Sequence, residues 1–360
     1  MSILRVIKII SILISMVCVA LALVAGVLIY CNAPPAQAPV IPDDDETVRV
    51  EPDGIVSFEV RGGESALSVG KRLEAAGIIK TRYFWYLLSR FDKSFIKTGI
   101  YQLAVPANQV HIHATLVAGR QALTKVTIPE GVTLKKTGRI LEDAGICAAD
   151  DFLAAAADQD LLAAYQIPGA TMEGYLYPDT YLFPKTYPAV QVVTIMADTF
   201  FKRLSELPHN DTGHFDALPP EELFRRVIIA SIVEREYRVD EEAALMAGVF
   251  YNRLKIGMAL QSCATVEYVI TEIQGKPHPE VLYTRDTEIR DPYNTYIRPG
   301  LPPGPIAAPG AVALNAAFNP LATEYLYFRL VDADAGRHYF SKTLDDHIKA
   351  GALYVKRRTS

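Results

Sequence analysis

The segment Val227-Ile-Ile-Ala-Ser-Ile-Val-Glu-Arg-Glu236 places acidic residues at the end of an apolar run. A carboxyl emerging from such a run has little polarity near it in sequence. Its pKa should rise above the reference of about 4.3, as a general acid requires. Glu234 is the candidate acid on this ground; a helix-end acid paired with Arg235 or Arg238 explains the same residues. Glu236 is the fallback, since two residues along a helix points a side chain elsewhere. Two further stretches carry groups suited to sugars. Asp291-Pro-Tyr-Asn-Thr-Tyr296 runs into Gly300-Leu-Pro-Pro-Gly-Pro-Ile306, a proline-fixed loop whose Asn and Tyr side chains can bond to hydroxyls or N-acetyl groups. A purely structural turn would read the same way. Glu173 to Pro184 is dense in aromatics and carries Glu173 and Asp179, which suits carbohydrate and equally suits a half-buried strand pair.

The elements that must position these groups are legible around them. Pro219, Pro220, Glu221 and Glu222 open a helix, because proline fits the first turn and carboxylates favour the positive end of the dipole. Val227 to Val233 is apolar nearly all round, which predicts a buried helix. A second helix follows, with Asp240 as N-cap, Glu241 and Glu242 in its first turn and Gly257 as its stop after Lys255. Leu260-Gln-Ser-Cys-Ala-Thr-Val266 comes next.

The N-terminus predicts where these groups work. Ile9 to Tyr30 runs 22 residues without a charge, long enough to cross a bilayer as a helix. Arg5 and Lys8 precede it and Asp43, Asp44, Asp45 and Glu46 follow, so the positive-inside rule puts the N-terminus in the cytoplasm and the rest outside. A cleaved signal peptide is the rival reading, but the stretch exceeds a usual h-region and no clear small-x-small site follows it. Of four cysteines, Cys18 and Cys31 belong to this region, and Cys147 and Cys263 are too few for a disulfide framework, though one bridge is open to them. The net charge of −5, with no Lys/Arg block, excludes nucleic acid as a natural partner. Seven histidines are scattered, and the close pair His111 and His113 lacks a third ligand nearby; neither metal nor cofactor is expected.

After a Pro/Ala/Asp-rich linker, the folded region starts near Ile55. Val56, Phe58 and Val60 alternate as a strand, Gly62-Gly63 turns, and Ser65 caps a helix ending at Gly77. This unit occurs twice: Phe58 to Ile78 aligns without gaps onto Val126 to Ile146, at an offset of 68 residues. Gly63 matches Gly131, Gly70 matches Gly138, and Ala76-Gly77-Ile78 matches Ala144-Gly145-Ile146. With Ile100-Tyr-Gln-Leu and Leu116-Val-Ala-Gly119 the unit resembles LysM-like modules, which bind cell-wall glycan. Trp85, among Tyr83, Phe84 and Tyr86, reads as core packing ahead of sugar stacking.

Taken in order, Ala230-Ser-Ile-Val-Glu-Arg-Glu236, Phe250-Tyr-Asn-Arg-Leu254, Leu260-Gln-Ser262, Tyr293-Asn-Thr-Tyr296, Gly300-Leu-Pro-Pro-Gly-Pro-Ile306 and Glu324-Tyr-Leu-Tyr-Phe328 form one pattern. Together with Glu173 to Tyr181 they closely resemble the MltG/YceG-like endolytic murein transglycosylases. The resemblance implies a membrane-anchored lyase that cuts peptidoglycan glycan strands internally, at the β-1,4 bond from N-acetylmuramic acid to N-acetylglucosamine, and leaves 1,6-anhydro ends. It implies termination of nascent strands and partners such as penicillin-binding proteins or other cell-wall synthesis enzymes. It places the catalytic role on Glu234, with Gln261, Ser262, Tyr293, Asn294 and Tyr296 as substrate contacts and Glu173 ranked after them. One carboxylate suffices for a lyase, because the muramyl 6-hydroxyl is a built-in nucleophile, whereas a hydrolase typically needs two.

Two alternatives stay open: a muramidase-type hydrolase using Asp179, Asp240 or Glu267 as second acid, and a non-catalytic glycan-binding scaffold. The chain departs from the family where Leu-Gln-Ser/Thr-Asp-Pro-Thr is common and Leu260-Gln-Ser-Cys-Ala-Thr265 stands. Ala308 and Ile348 also replace usual asparagines. The expected architecture is α+β: a cytoplasmic N-terminus (1–8), a transmembrane helix (9–30), a linker (31–54), LysM-like modules (55–167) and a catalytic domain (168–360) in the extracytoplasmic space.

Overall fold

The computed structural model describes residues 3–36, 39, 48–50, 55–92, 95–119, 123–208 and 218–353. The fold is α+β, and the chain divides into two compact units, Met1–Leu123 and Thr124–Ser360.

The first unit begins with helix α1 (Ile3–Asn32), whose stretch Ile10–Asn32 is long and apolar enough to cross a membrane. Strands β1 (Val48–Val50) and β2 (Ile55–Val60) lead to helices α2 (Ala66–Ala75) and α3 (Arg82–Asp92), then strand β3 (Gly99–Ala104) and helix α4 (Gln109–Ala118). The strands form an antiparallel sheet in the order β1-β2-β3. Along β2, Val56, Phe58 and Val60 are buried and their neighbours are not, as the alternation predicts. Ser65 caps α2, its Oγ accepting from the Ser68 N–H at 3.2 Å. Helices α2 and α3 meet at Gly70, where a Cβ would lie 2.5 Å from Trp85 Cδ1. Trp85 is fully buried and donates from Nε1 to the Ala66 carbonyl at 2.9 Å, so its role is core packing.

The expected linker differs from what is found. Val48 pairs with Phe58 in the sheet, so the module begins before Ile55. The end of α1 is bound to the module: Gln109 Nε2 donates to the Cys31 carbonyl at 2.9 Å and the Val110 N–H donates to Asn32 Oδ1 at 3.0 Å. These bonds satisfy carbonyl and side-chain acceptors at the helix terminus, which otherwise face water. The acidic run at 43–46 lies outside the described residues.

The second unit starts at strand β4 (Leu123–Thr127) and helices α5 (Leu134–Asp143), α6 (Ala149–Ala156) and α7 (Gln159–Ala164), followed by strand β5 (Thr180–Pro184). Thr133 caps α5, and Gly131 and Gly145 take φ of 71° and 70° beside the 74° and 66° of Gly63 and Gly77 in the first copy. Gly138 lets α6 approach, a Cβ there lying 3.3 Å from the Ala149 carbonyl and Phe152, just as Gly70 admits Trp85. The repeat is therefore a strand, a turn and two packed helices, and its copies fall in different units. Because β4 pairs with β5, the second copy closes only near Pro184. The boundary expected at 167/168 is thus displaced to Thr124: Val126, Leu141, Phe152, Tyr181 and the run Val227 to Val233 share one hydrophobic core.

Helices α8 (Ala189–Ser205), α9 (Pro220–Glu236), α10 (Asp240–Lys255), α11 (Cys263–Tyr268) and α12 (Ala311–Phe318) follow, with the antiparallel pair β6 (Tyr327–Asp332) and β7 (Arg337–Ser341) and helix α13 (Leu344–Lys349) last. Every residue from Val227 to Val233 is buried, so α9 is the central helix its composition predicts. Gly248 of α10 meets the chain beyond α12, a Cβ there lying 2.5 Å from the Leu321 carbonyl oxygen. Cys147 and Cys263 are free thiols.

Candidate active site

Helix α9 opens with Pro220, Glu221 and Glu222 in its first turn and ends at Glu236, beyond which Tyr237 is extended. Both candidate acids therefore sit on the last turn. At about 100° per residue they diverge by roughly 200°. Glu234 turns toward Gly310, whose N–H donates to Oε2 at 2.9 Å, and toward Gly131, where a Cβ would lie 3.7 Å from Glu234 Cγ. Its carboxyl is pushed up to about 7, chiefly by burial and further by Glu130, against the pull of the Gly310 N–H.

Glu236 turns the other way, into a cavity of about 740 Å³ that also exposes Gln261, Cys263 and Tyr296. Oε1 accepts from Ser262 Oγ at 2.5 Å, and the Ala264 N–H also donates to the carboxyl. Burial pushes the Glu236 pKa up, and these two donors pull it back. Ser262 and Ala264 occupy the start of α11, so that helix directs an N–H at the carboxyl while the Ser262 side chain turns to Glu236 instead of capping its own helix.

The loop before Gly300 holds this arrangement. Thr295 Oγ1 accepts from the Ser262 N–H at 3.0 Å and lies 2.9 Å from Thr265 Oγ1, while the Thr295 carbonyl accepts from the Gln261 N–H at 3.1 Å. This latch brings Tyr296 Oη to 3.0 Å from Cys263 Sγ. Gln261 adopts φ 52°, a strained conformation that exposes its side chain to the cavity. From the α9 side, Ser231 Oγ accepts from the Ile306 N–H at 3.0 Å and donates to the Ile228 carbonyl at 2.8 Å, anchoring the Pro-Pro-Gly loop to the buried helix.

The residues expected to act together thus separate into two groups. Glu236, Gln261 and Tyr296 line one cavity, with Ser262 bonded to Glu236 from behind; Glu234 is not among its lining residues. Asn294 is fully buried and used within its loop, donating to the Thr287 and Ile289 carbonyls at 2.9 and 2.8 Å and accepting from the Tyr296 N–H at 2.9 Å. It positions Tyr296, and both its N–H donors are used inside the loop. Tyr293 packs on Tyr268, ring centroids 5.0 Å apart. Glu173 is buried at the start of α5, both oxygens 3.1 Å from the Leu134 N–H, and burial pushes it up to about 8. It accepts a helix-end N–H that lacks an intrahelical partner, away from the cavity lining.

Several cavity residues carry no role in the sequence reading. Arg253 of α10 donates to the Leu260 and Leu326 carbonyls, both at 2.6 Å, and lies over the Tyr327 ring. Arg238, Arg329, His338 and His347 also line the wall. Their signal was partly visible, since Arg253 and Tyr327 lie inside matched blocks, but a block does not say which side chains face inward.

A half-buried glutamate beside hydroxyl and N–H donors, at the end of a central helix, thus faces a cavity of about 740 Å³, an arrangement able to hold and exchange a proton. Residues 58–352 match the YceG-like family, and the chain belongs to it. It is 30% identical over 331 residues to an endolytic murein transglycosylase of Streptococcus pneumoniae serotype 2 (strain D39), covering 83% of this chain and 58% of that protein. With an endolytic murein transglycosylase of Bacillus subtilis (strain 168) it shares 28% identity over 322 residues, 86% of this chain and 88% of the relative. A crystal structure of a YceG-like protein from Listeria monocytogenes superposes with a TM-score of 0.54 at 29% identity, covering 82% of this chain and 98% of that one. The chain thus spans 58% of the length of the pneumococcal relative.

Proposed function

We propose that this chain is a membrane-anchored lytic transglycosylase that cuts peptidoglycan strands internally at the β-1,4 bond from N-acetylmuramic acid to N-acetylglucosamine, with Glu236 as its acid and base. The observation that carries the reading is the convergence of Glu236, Ser262, Ala264, Gln261 and Tyr296 at one cavity, in a chain whose relatives are named endolytic murein transglycosylases. Geometry favours Glu236 over Glu234. Glu234 has a pKa suited to proton transfer near neutrality, but a general acid must first reach the oxygen it protonates, and it is Glu236 that faces space for a sugar.

In the proposed reaction the Glu236 proton passes to the glycosidic oxygen as the bond from the muramyl anomeric carbon to that oxygen breaks. The muramyl 6-hydroxyl oxygen then bonds to the anomeric carbon, and its proton returns to the Glu236 carboxylate. The balance closes without water. Donation from Ser262 and Ala264 stabilises the carboxylate between the two transfers. Of the carboxylates a hydrolase would recruit, Glu267 lines the cavity but is paired with Arg235 at 2.9 Å and lies 3.4 Å from His278. Asp179 is paired with Arg203, and Asp240 influences Glu234 instead. The N-terminal helix anchors the chain in the cytoplasmic membrane with its units outside. The strand–helix–helix–strand module of the first unit serves as a LysM-like glycan contact, and cell-wall synthesis enzymes such as penicillin-binding proteins are the partners this location offers.

The test is mass analysis of muropeptides from purified peptidoglycan treated with the wild type, Glu236→Gln and Glu234→Gln. Anhydromuramyl ends from the wild type and Glu234→Gln, with a loss of about 10²–10⁴-fold in Glu236→Gln, are expected. Reducing ends would indicate a muramidase, and wall binding without cleavage a scaffold. Loss confined to Glu234→Gln would return the acid role to that residue.

A further inference from the structure

The cavity beside Glu236 carries more positive charge than a neutral glycan requires. Of its four arginines, Arg235 is paired with Glu267, and Arg253 is committed to the Leu260 and Leu326 carbonyls. The guanidinium groups of Arg238 and Arg329 have no ion pair or hydrogen bond among the described residues, and both side chains border open space. Arg238 follows the extended residue that ends α9, and Arg329 projects from β6, where Gly351 leaves room: a Cβ there would lie 2.7 Å from Nη1. His338, on the same wall, is engaged elsewhere, with Nδ1 2.8 Å from Glu242 Oε2.

A third group lies on the same wall. His347 lines the cavity, and its Nδ1 is buried without a hydrogen-bond partner among the described residues. Burial and the charges of Arg329 and Arg253 push its pKa down, so the ring leaves the cationic task to the two arginines. The ring packs on Tyr327 with centroids 5.4 Å apart and planes tilted by 31°, and the Tyr327 ring centroid lies in turn 5.3 Å from the Arg253 guanidinium. The site is therefore aromatic on one side and cationic on the other. The acids on the wall are Glu236, which the reaction uses, and Glu267, which is paired.

The sugar rings of the proposed substrate are uncharged. The anions along such a strand are the free carboxylates of the peptide attached to each muramyl lactyl group. We infer that Arg238 and Arg329, beside the ring of His347, bind a carboxylate of the stem peptide on the muramyl residue being cut, so that the enzyme selects strands whose peptides end in free carboxylates over strands whose peptide carboxyls are amidated. Two guanidinium groups suit this task, since each presents a planar fork to a carboxylate. The inference rests on the transglycosylase reading for its substrate, and its test is arranged so that the two can fail separately.

The full chain in detergent micelles is given uncross-linked strands carrying peptides, or the same strands with their peptide carboxyls converted to carboxamides, and kcat/KM for anhydro-end formation is measured on each. A preference of about tenfold or more for the strands with free carboxylates is expected, the value of one charge-assisted hydrogen bond. In the double variant Arg238→Gln/Arg329→Gln the ratio falls toward one, while Arg238→Lys/Arg329→Lys retains a preference and controls for folding. A ratio near one in the wild type, or one unchanged by the glutamines, overturns the inference. Calorimetric binding of muramyl pentapeptide, compared with its carboxamide form, is read alongside. Tighter binding of the carboxylate form that the glutamine variant abolishes supports the subsite even if no anhydro ends form, in which case the transglycosylase reading alone falls. Equal binding of both forms overturns the subsite even where cleavage is seen.

Discussion

Replacing Glu173 by Gln should remove a pH dependence of stability that the buried carboxyl imposes. Glu173 is 7% exposed, and both its oxygens lie 3.1 Å from the Leu134 N–H at the start of α5. Burial is the main force pushing its pKa up from 4.5 to about 8; the Leu134 N–H opposes it, and the charge of Glu272 adds to it. The folded-state pKa is thus raised above the unfolded one. Its contribution is fully present below about 4.5 and is lost as pH rises through about 8, because folding there requires a buried charge. At 1.36 kcal/mol per unit, ionisation costs about 0.8 kcal/mol at pH 5 and about 4 kcal/mol at pH 7.5. Wild type should therefore lose about 3 kcal/mol relative to Glu173→Gln over that interval. Gln keeps a carbonyl oxygen for the Leu134 N–H, so the cap survives while the titration does not. Urea midpoints for both proteins from pH 5 to pH 7.5 give the difference directly, and common shifts from other titrating groups cancel. Parallel stability curves would refute the reasoning, and so would a wild type that gains on the variant as pH rises.

Other changes test the site and its supports. Ala264→Pro restores the residue common in the family, fits the first turn of α11 and removes an N–H that donates to Glu236. With a carboxylate donor gone the Glu236 pKa should rise, and the alkaline limb of the pH–rate profile should move to higher pH; a fixed or acid-shifted limb would contradict this. Ser231→Ala leaves the Ile306 N–H without its acceptor in the core, costing about 1–3 kcal/mol, measurable as a lower denaturation midpoint with the m-value unchanged. Gly248→Ala forces a methyl to 2.5 Å from the Leu321 carbonyl oxygen, a backbone atom unable to rotate away, and should destabilise by about 1–3 kcal/mol in the same assay. A melting temperature equal to wild type would show that the helix and the chain beyond α12 can separate freely.

Much of this protein is local and therefore legible in the chain itself. Apolar stretch Ile10–Asn32, the buried run Val227 to Val233 and the alternation Val56, Phe58, Val60 follow from hydropathy and period, which depend on near neighbours only. The repeat was visible because glycines at a helix stop are demanded by backbone conformation, as φ of 66° at Gly77 and 70° at Gly145 bears out. Family membership was legible in the ordered motif blocks, and residues 58–352 match that family.

What tertiary structure alone decided is where side chains separated in sequence come together. The repeat's second copy needs β5 as strand partner, far past the composition shift at Ile167 that marked the expected boundary. Asn294 looked fit for sugar but is consumed by its own loop, because buried amide groups must be paired and Thr287 and Ile289 lie within reach. Glu234 and Glu236 are indistinguishable as types at the end of one apolar run. Only the placement of Ser262 and Gly310, brought by distant segments to opposite sides of the α9 terminus, determines which carboxyl meets the cavity and which meets a backbone amide. A sequence states which residues a helix carries; the packing around that helix chooses which of them face the solvent-filled space where chemistry can occur.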